Sequence, residues 1–442
     1  MVKVPLRPPP ALALLPAVVS LPKDLDSATV RAVSTEYLHW DDVFHRSPPA
    51  GLTTEQWWAL LKFQRRMSRK PIPLRSTDGG TFWFTMPDAV HELLLRIDQQ
   101  LAGRIAANGP GALNPGSRDR YLVSSLTEEA ITSSQLEGAA TTRAAAKEML
   151  RTGRPPRTHG EQMILNNFRA MRFIREHQDD PLTPELVCEI QRIVTEDTLD
   201  DPADAGRLQQ PDETRVWVST AQDDVLLHRP PPAEELPKRL AEMCRFANGG
   251  GTGFVHPVLR AVLLHFWLAY DHPFADGNGR TARALFYWSM LHQGYWLTEF
   301  ITISTILRKA PSKYLRSFLL TETDENDATY FLLYHLDVIR RAIAEFNAYV
   351  ERKTKEVRAT EQFLREAGAL NHRQLALISH ALRNPDASYT IESHRNSHNV
   401  VYQTARTDLL DLVERGLLTQ VKSGKAYRFT PAPNLEQALR DA

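Results

Sequence analysis

The chain of 442 residues is most distinctive at residues 272–283, which read His-Pro-Phe-Ala-Asp-Gly-Asn-Gly-Arg-Thr-Ala-Arg. We call this stretch the signature segment. The run before it, Val258 to Tyr270, is apolar on every side and predicts a buried helix, and Ala282 to Leu291 again has helical spacing. The signature segment therefore contains the loop that joins two core helices.

The composition of this loop predicts an anion site. Gly277 and Gly279 permit dihedrals that turn successive backbone N–H groups to one concave side, at the N-terminus of the next helix, where the helix dipole also favours an anion. Arg280 and Arg283 share the first helical turn. Two guanidinium groups suit an extended polyphosphate better than a single carboxylate, so we expect ATP rather than a monophosphate.

Two further side chains predict chemistry at the anion site. Phosphate would repel Asp276 unless a hard cation bridged the carboxylate and the phosphate oxygens, and this predicts Mg²⁺. His272 precedes the backbone N–H groups of this anion site, which we call the anion cradle. An imidazole has an unperturbed pKa that suits proton abstraction near neutral pH. Each residue alone has a plainer interpretation: a core histidine, a turn, or a solvated pair of arginines. Their fixed order is what indicates a catalytic site.

This order resembles the signature of the Fic family, His-x-Phe-x-Asp/Glu-Gly-Asn-Gly-Arg-x-x-Arg, at every defined position. The resemblance implies a mainly helical Fic core. It also implies a protein adenylyltransferase, which moves AMP from ATP to a Ser, Thr or Tyr hydroxyl of a target protein or of itself and releases pyrophosphate. Doc-like relatives, which transfer phosphate instead, usually have Lys where this chain has Gly279, so phosphate transfer is disfavoured.

The resemblance also implies a role for each signature residue. His272 activates the acceptor hydroxyl, Asp276 holds Mg²⁺ between the α- and β-phosphates, and Phe274 anchors the loop in the core. The residues that would bind the nucleotide are Gly277, Asn278 and Gly279 as the anion hole, Arg280 at the outer phosphates and Arg283 at the γ-phosphate.

A second motif lies upstream at residues 133–138, Ser-Ser-Gln-Leu-Glu-Gly. It resembles the inhibitory helix motif Ser/Thr-x-x-x-Glu-Gly/Asn that accompanies many Fic domains, with Ser133 and Glu137 at its defined positions. The resemblance implies that Glu137 pairs with Arg283 in place of the γ-phosphate, so the resting enzyme is slow. A solvent-facing glutamate on a helix is the alternative. In some relatives this glutamate positions water to remove AMP, so the reverse reaction also stays open.

Residues 215–228, which we call the flap, interrupt the helical pattern. Val216 and Val218 alternate with polar neighbours, and Val225 to Leu227 follow the polar break Thr220 to Asp224, which predicts a hairpin. In position the flap matches the hairpin that clamps a target segment by strand addition in Fic relatives. A plain surface hairpin is the alternative.

The length of the chain predicts two or three domains. We place them at residues 1–110, an N-terminal helical extension; 111–355, the Fic domain with its inhibitory helix; and 356–442, a winged helix-turn-helix. The last assignment rests on a helix at Leu370–Leu382, a helix at Val400–Arg415 and a hairpin that turns at Ser423–Gly424. A charged helix, roughly Ala342 to Gly368, is expected to connect the last two domains.

The C-terminal domain leaves two kinds of partner open. Its basic side could meet DNA phosphates through Arg406, Arg415, Lys422, Lys425 and Arg428, which would make the protein a DNA-binding regulator with the Fic part as a sensor. The helix Val400–Arg415, which would be the recognition helix, also carries Asp408, Asp411 and Glu414. These acidic side chains would face a polyanion unfavourably. A protein partner is therefore the preferred interpretation.

Composition argues against several other classes. Lys plus Arg and Asp plus Glu both total 53, so the net charge gives no reason to expect a polyanion as the main partner. Cys188 and Cys244 are too few for a disulfide scaffold or a four-ligand zinc site, and they predict buried free thiols.

No stretch reaches the roughly 20 apolar residues that a membrane span needs. Prolines interrupt the apolar run from Ala11 to Val19, which argues against a secretory signal. We expect a cytoplasmic protein without a membrane partner. We also expect a homodimer, because Fic relatives often dimerise.

Overall fold

The computed structural model describes residues 3–20, 36–49, 51–101, 115–219, 226–251, 253–364, 370–423, 426–435 and 437–438. Its α-helices are, in chain order, α1 Leu15–Val19, α2 Trp40–Phe44, α3 Thr54–Ser68, α4 Asp88–Leu101, α5 Pro115–Leu136, α6 Arg143–Thr152, α7 His159–Glu176, α8 Pro184–Thr195, α9 Leu236–Ala247, α10 Pro257–Asp271, α11 Asn278–His292, α12 Ile303–Lys309, α13 Pro311–Thr323, α14 Thr329–Leu364, α15 His372–Arg383, α16 Ile391–His398 and α17 Tyr402–Glu414. Short 3₁₀ helices cover Ala11–Leu14, Pro202–Asp204, Ala233–Glu235 and Trp296–Phe300.

The strands form antiparallel pairs. They are β1 Lys70–Arg75 with β2 Thr81–Phe84, β3 Val218–Ser219 with β4 Leu226–His228, and β5 Leu418–Ser423 with β6 Ala426–Pro431. The mainly helical fold class is thereby confirmed. No helix in the described part of the chain is long and apolar enough to cross a membrane.

The chain folds into two compact units. The first takes residues from 1–98, 172–294 and 306–340, and the second takes residues from 99–171, 295–305 and 341–442. This division differs from the sequential one at residues 110 and 355, because the described N-terminal residues pack into the same unit as the signature segment. The connecting helix also begins earlier than expected, at Thr329 rather than near Ala342.

Buried polar contacts join the N-terminal region to the rest of the first unit. Lys62 Nζ lies 2.7 Å from Asp324 Oδ1, and Tyr37 donates to Asp327 Oδ2 at 2.6 Å. Lys62 and Asp324 are almost fully buried, and charged groups are found there only when they are paired. These contacts bind residues of the N-terminal region to the turn between α13 and α14.

The N-terminal region also contains a hairpin that the sequence prediction missed. In β1, Ile72 and Leu74 are buried and alternate with more exposed neighbours, which is the period of a strand. Pro71 and Pro73 within the same run are incompatible with a helix interior. The expected helical extension is thus helical with one β-hairpin.

Two helices of the first unit flank the signature segment. α10 buries residues on all its sides, and its N-terminus is capped by His256, whose side chain accepts from Val258 N–H, followed by Pro257. α11 begins at Asn278, inside the signature segment, and is buried up to Leu291. The prediction of two core helices joined by this loop is confirmed.

The second unit contains α5, α6 and the C-terminal helices. Ile131, Met149 and Ile164 share a small apolar core among α5, α6 and α7. The C-terminal part has the expected helix, helix and hairpin, in α15, α17 and β5–β6, and residues 424–425 at the predicted turn lie outside the described ones. It also has α16, which has almost no apolar periodicity and was therefore missed.

Candidate functional site

His272 ends α10 in a left-handed conformation, with φ 46° and ψ 54°, and its N–H donates to Leu268 O at 2.9 Å. Such a conformation costs a non-glycine residue about 1 to 2 kcal/mol, so surrounding contacts must hold it. Nδ1 lies 3.4 Å from Ala269 O, which favours the tautomer with the proton on Nδ1. The lone pair then lies on Nε2.

Phe274 and Asn278 close the loop after His272. Phe274 is fully buried, its N–H donates to Asn278 Oδ1 at 3.0 Å, and Asn278 Nδ2 donates back to Phe274 O at 2.8 Å. Gln191 of α8 donates from Nε2 to Asp276 O at 3.0 Å. The side chain of Asn278 therefore shapes the loop, and its backbone N–H lies at the start of α11, where the anion hole is predicted.

Gly277 is constrained in this loop both by its backbone conformation and by its neighbours. Its φ is 81°, and a Cβ there would lie 2.6 Å from Thr195 Cγ2. It precedes α11 without a capping side chain, and the first intrahelical bond runs from Thr281 N–H to Gly277 O at 2.9 Å. We expected Gly279, like Gly277, to supply a dihedral that only glycine permits easily. Instead it lies in the first turn of α11 with helical dihedrals. The first N–H groups of α11 are those that the predicted anion cradle would use, since the N–H groups of a helix's first turn lack partners within the helix.

The two arginines of the signature segment are both 1% exposed. The plainer interpretation, a solvated pair, is therefore excluded. Arg280 donates from Nη1 to Val194 O at 2.6 Å and from Nη2 to Asp276 Oδ2 at 2.9 Å. The carboxylate of Asp276 is 56% exposed. Arg280 thus balances the charge of Asp276 while leaving its carboxylate accessible.

The donor set around Asp276 fits a nucleotide-bound cation. Among the described residues, no group of three or more His, Cys, Asp or Glu side chains could hold a metal ion. Mg²⁺ usually binds through one or two carboxylates together with phosphate oxygens and water. A single accessible carboxylate beside an anion cradle therefore suits Mg²⁺ that arrives with a nucleotide.

The flap is attached to the end of α10 by contacts that the sequence analysis missed. Arg215 donates from Nη2 to the carbonyls of Asp271 at 2.8 Å and His272 at 3.0 Å. His228, at the end of β4, lies with Nε2 2.7 Å from Tyr270 O. In the sequence, the only indication of these contacts is that Arg215 and His228 stand at the two ends of the predicted hairpin.

Residues 181–290 match the family model described as the Fic/DOC family. The chain carries a Fic domain. The resemblance drawn from the signature segment is thereby confirmed, and the matched range contains α8, the flap, α10 and α11 up to Met290.

Several known proteins that are similar to part of this chain are named protein adenylyltransferases. The relative fic-1 of Caenorhabditis briggsae is 30% identical over 153 residues, which is 33% of this chain and 27% of the relative. The Nematostella vectensis relative is 31% identical over 140 residues, 31% of this chain and 30% of its own. The Drosophila melanogaster relative is 29% identical over 192 residues, 42% of this chain and 35% of its own. The chain thus spans about a third of the length of these curated relatives.

A solved structure, that of a Fic family protein from Desulfovibrio desulfuricans, also aligns with this chain. It is 18% identical, covers 79% of this chain and 98% of its own, and has a TM-score of 0.48.

The second motif lies at a helix end, outside the Fic family match. α5 ends at Leu136, Glu137 follows with an exposed side chain, and Gly138 has φ 90°. Ser133 is buried, and Ser134 donates to Met163 O at 3.1 Å. Glu137 belongs to the second unit and the signature segment to the first. The position of the motif at a helix terminus suits Gly138 as an ordinary C-cap and leaves the inhibitory role as a proposal.

The flap itself is a short hairpin with register Val218↔His228 and Ser219↔Leu226. Residues 220–225, which include the predicted break and Val225, lie outside the described residues. Trp217 and Leu226 are about half exposed, at 52% and 47%. The described part of the flap therefore presents apolar side chains to solvent.

Proposed function

We propose that this protein is an adenylyltransferase that moves AMP from ATP to a Ser, Thr or Tyr hydroxyl of a target protein or of itself. The observation that carries the proposal is the signature segment. It combines a histidine held in a strained conformation, an anion cradle at the start of α11 and two buried arginines. The names of the relatives that are similar to part of this chain support this choice.

The residues divide the reaction among them. His272 Nε2 takes the proton of the acceptor hydroxyl, and the acceptor oxygen attacks the α-phosphorus of ATP. The bond to the leaving pyrophosphate breaks, and AMP stays on the acceptor. The N–H groups of residues 278 and 279 and the charges of Arg280 and Arg283 bind the phosphates.

Asp276 would hold Mg²⁺. The bound ion supplies neutralisation of the phosphate charge. Asp276 offers a carboxylate that is already turned to solvent, and Arg280 keeps it in place at 2.9 Å.

Mass spectrometry of protein incubated with ATP and Mg²⁺ distinguishes the possible reactions. Addition of one AMP moiety, lost again when the product is treated with a phosphodiesterase, supports adenylyl transfer. Addition of phosphate alone would contradict it. Removal of AMP from a previously modified protein, without transfer, would favour the reverse reaction.

We further propose that Glu137 restrains this activity, as its motif implies. Glu137→Gly should then raise transfer by about tenfold or more, because removing a competitor for the γ-phosphate position lowers the barrier by at least about 1.4 kcal/mol. Glu128→Gly is a control on the same helix, since Glu128 pairs with Arg143 and Lys147 instead. Equal rates in wild type and Glu137→Gly would contradict the restraint. If the reverse reaction is catalysed, Glu137→Gly should abolish it.

The flap suits an extended segment of the target protein. We propose that such a segment adds to the flap as a strand and places an apolar side chain against Trp217 or Leu226. Trp217→Ser should raise the KM for a protein target and leave the KM for ATP unchanged. An equal change in both KM values would contradict this role of the flap.

We also propose that two copies of the protein assemble into a homodimer. Light scattering, which gives the mass in solution, tests this proposal.

A specific observation favours DNA as a second partner of the C-terminal domain. Asp408 was expected to repel DNA, but it is buried and bonded to Arg373 at 2.6 Å and Asn371 at 2.8 Å. Asp411 accepts from Gln374 Nε2 at 2.5 Å. Arg373 thus neutralises Asp408 inside the domain, and Asp411 forms an ion pair with Arg415 at 3.0 Å, which weakens the reason for preferring a protein partner.

The exposed N-terminal half of α17 carries Tyr402, Gln403, Arg406 and Thr407. Residues at this position of a recognition helix contact base edges in helix-turn-helix proteins. We propose that the C-terminal domain binds duplex DNA. The full chain should bind a labelled duplex with an affinity that falls as salt rises, and Arg406→Ala should weaken it while Arg395→Ala does not. Absence of binding at low salt would contradict the proposal.

A further inference from the structure

The carbonyl groups at the end of α10 and just after it accept hydrogen bonds from residues in or near the flap. The last carbonyls of a helix have no partner within the helix and must find one elsewhere. Here four successive carbonyls, at residues 270 to 273, are bound by His228 at 2.7 Å, Arg215 at 2.8 Å, Arg215 again at 3.0 Å, and the N–H of Gln209 at 2.9 Å. His272 stands in the middle of this set.

Arg215 joins three segments at once. Besides the carbonyls of Asp271 and His272, it donates from Nε to Pro231 O at 2.9 Å and from Nη1 to Gln209 Oε1. It therefore connects the start of the flap, the segment after the flap and the end of α10. Only the five donors of a planar guanidinium can do this, since a lysine has a single nitrogen.

His228, at the C-terminal end of the flap, makes the second attachment of the flap to the rest of the unit. Its Nδ1 lies 2.8 Å from Glu322 Oε2 and its Nε2 lies 2.7 Å from Tyr270 O. A carbonyl and a carboxylate both accept hydrogen bonds, and the imidazolium form lets both ring nitrogens donate to them. The charged ring then links β4 to α10 and α13 in one contact.

We propose that Arg215 and His228 are positioning residues that hold the backbone around His272 in its left-handed conformation. This proposal rests on the proposed adenylyl transfer. The strained φ of 46° needs contacts that over-determine it, and the carbonyls on both sides of His272 are those that the flap holds. The element proposed to receive the target is thereby the element that orients the base.

Purified Arg215→Ala, Arg215→Lys and Arg229→Ala test the proposal. Arg229 is the matched control because it also lies beside the flap, but its guanidinium lies over Trp217, with Cζ 5.6 Å from the ring centroid. Arg215→Ala should lower kcat roughly 30-fold or more, with the affinity for Mg·ATP changed less than about threefold, and Arg215→Lys should restore only part of kcat. Arg229→Ala should leave kcat within about threefold of wild type.

A second readout does not depend on AMP transfer. Diethyl pyrocarbonate modifies neutral histidine, and peptide mass spectrometry gives its rate at His272 in the full chain. This rate should change at least threefold in Arg215→Ala and not in Arg229→Ala, while the rate at His177, which is partly exposed and pairs with Asp180, stays constant. Thermal unfolding shows that each variant is folded, and Arg215→Lys replaces Arg215→Ala if the latter is not.

The outcomes separate the two proposals. If wild type transfers no AMP but the His272 rate changes as expected, the proposed function fails and the positioning role stands. If AMP is transferred but Arg215→Ala and Arg229→Ala have equal kcat and equal His272 rates, the positioning role is overturned. A fall in Mg·ATP affinity as large as the fall in kcat would also overturn it, because it would place Arg215 in nucleotide binding.

Discussion

Gly277→Ala should destabilise the protein for two reasons that can be measured separately. At φ 81°, a non-glycine residue costs about 1 to 2 kcal/mol. The new Cβ would also lie 2.6 Å from Thr195 Cγ2 and 3.3 Å from Val194 Cγ2, and overpacking of this kind costs about 1 to 3 kcal/mol. The expected loss in the free energy of unfolding is therefore about 2 to 5 kcal/mol.

Gly294→Ala is the matched control. Gly294 follows the other end of α11 with nearly the same φ, 83°, but its Cβ would meet nothing within 4 Å. It should show the conformational cost alone, about 1 to 2 kcal/mol. Thr195→Ser removes the methyl group that the new Cβ at position 277 would strike, and it keeps the hydroxyl, which donates to Gln191 O at 2.8 Å. Combined with Gly277→Ala, it should recover part of the loss.

Urea unfolding of the three single variants and the double variant, followed by circular dichroism, gives the comparison, and binding of Mg·ATP is measured in parallel. Gly277→Ala should lose both more stability and more nucleotide affinity than Gly294→Ala. The reasoning is refuted if these two variants are equally stable, or if Thr195→Ser adds its own loss without relieving that of Gly277→Ala.

Three further predictions follow from particular contacts. Burial lowers the pKa of His228, but the contact with Glu322 outweighs it and holds the pKa above its usual value of 6.5. The charged His228 therefore stabilises the folded state fully below pH 6.5, and this stabilisation is lost as pH rises through the pKa of the folded state. In His228→Gln the free energy of unfolding should fall less steeply with pH above 6.5 than in wild type. An unchanged slope of this free energy against pH would contradict the prediction. Asp276→Asn should raise the Mg²⁺ concentration needed for half-maximal transfer, and chelation of Mg²⁺ should stop wild type, whereas an unchanged Mg²⁺ requirement would remove Asp276 from the cation site. Lys62→Met leaves a buried carboxylate without its closest cation and should cost about 3 kcal/mol in urea unfolding. Arg66→Met, which breaks an exposed pair, should cost less than about 1 kcal/mol, and equal losses would show that burial does not decide the effect.

The signature segment could be predicted because its residues are adjacent in the chain. A buried helix, a glycine that permits a turn and a second helix follow one another within residues 257–292, and local rules place each of them. The same rules gave the hairpin of the flap and the long charged helix. They failed for Gly279, whose helical dihedrals a glycine permits but does not require.

What the sequence could not predict depends on distant partners. Arg215 lies 56 residues or more from the carbonyls that it binds at the end of α10, and nothing local indicates that contact. Asp408 stands on a helix face that looks polar and exposed in the sequence, but Arg373 and Asn371 bury it. In both cases the tertiary arrangement, rather than local propensity, decides what the side chain does.

Label transfer from ATP tests the central claim most directly. Wild type, Glu137→Gly and His272→Ala are incubated with Mg²⁺, a cell lysate and ATP labelled at either the α- or the γ-phosphate, and label retained on protein is counted after subtraction of the label retained by the lysate alone. We predict that Glu137→Gly transfers the α-label most strongly, that wild type transfers less, and that His272→Ala transfers none, with no γ-label retained in any case. Equal α-labelling by His272→Ala and Glu137→Gly, or retention of the γ-label, would contradict the account.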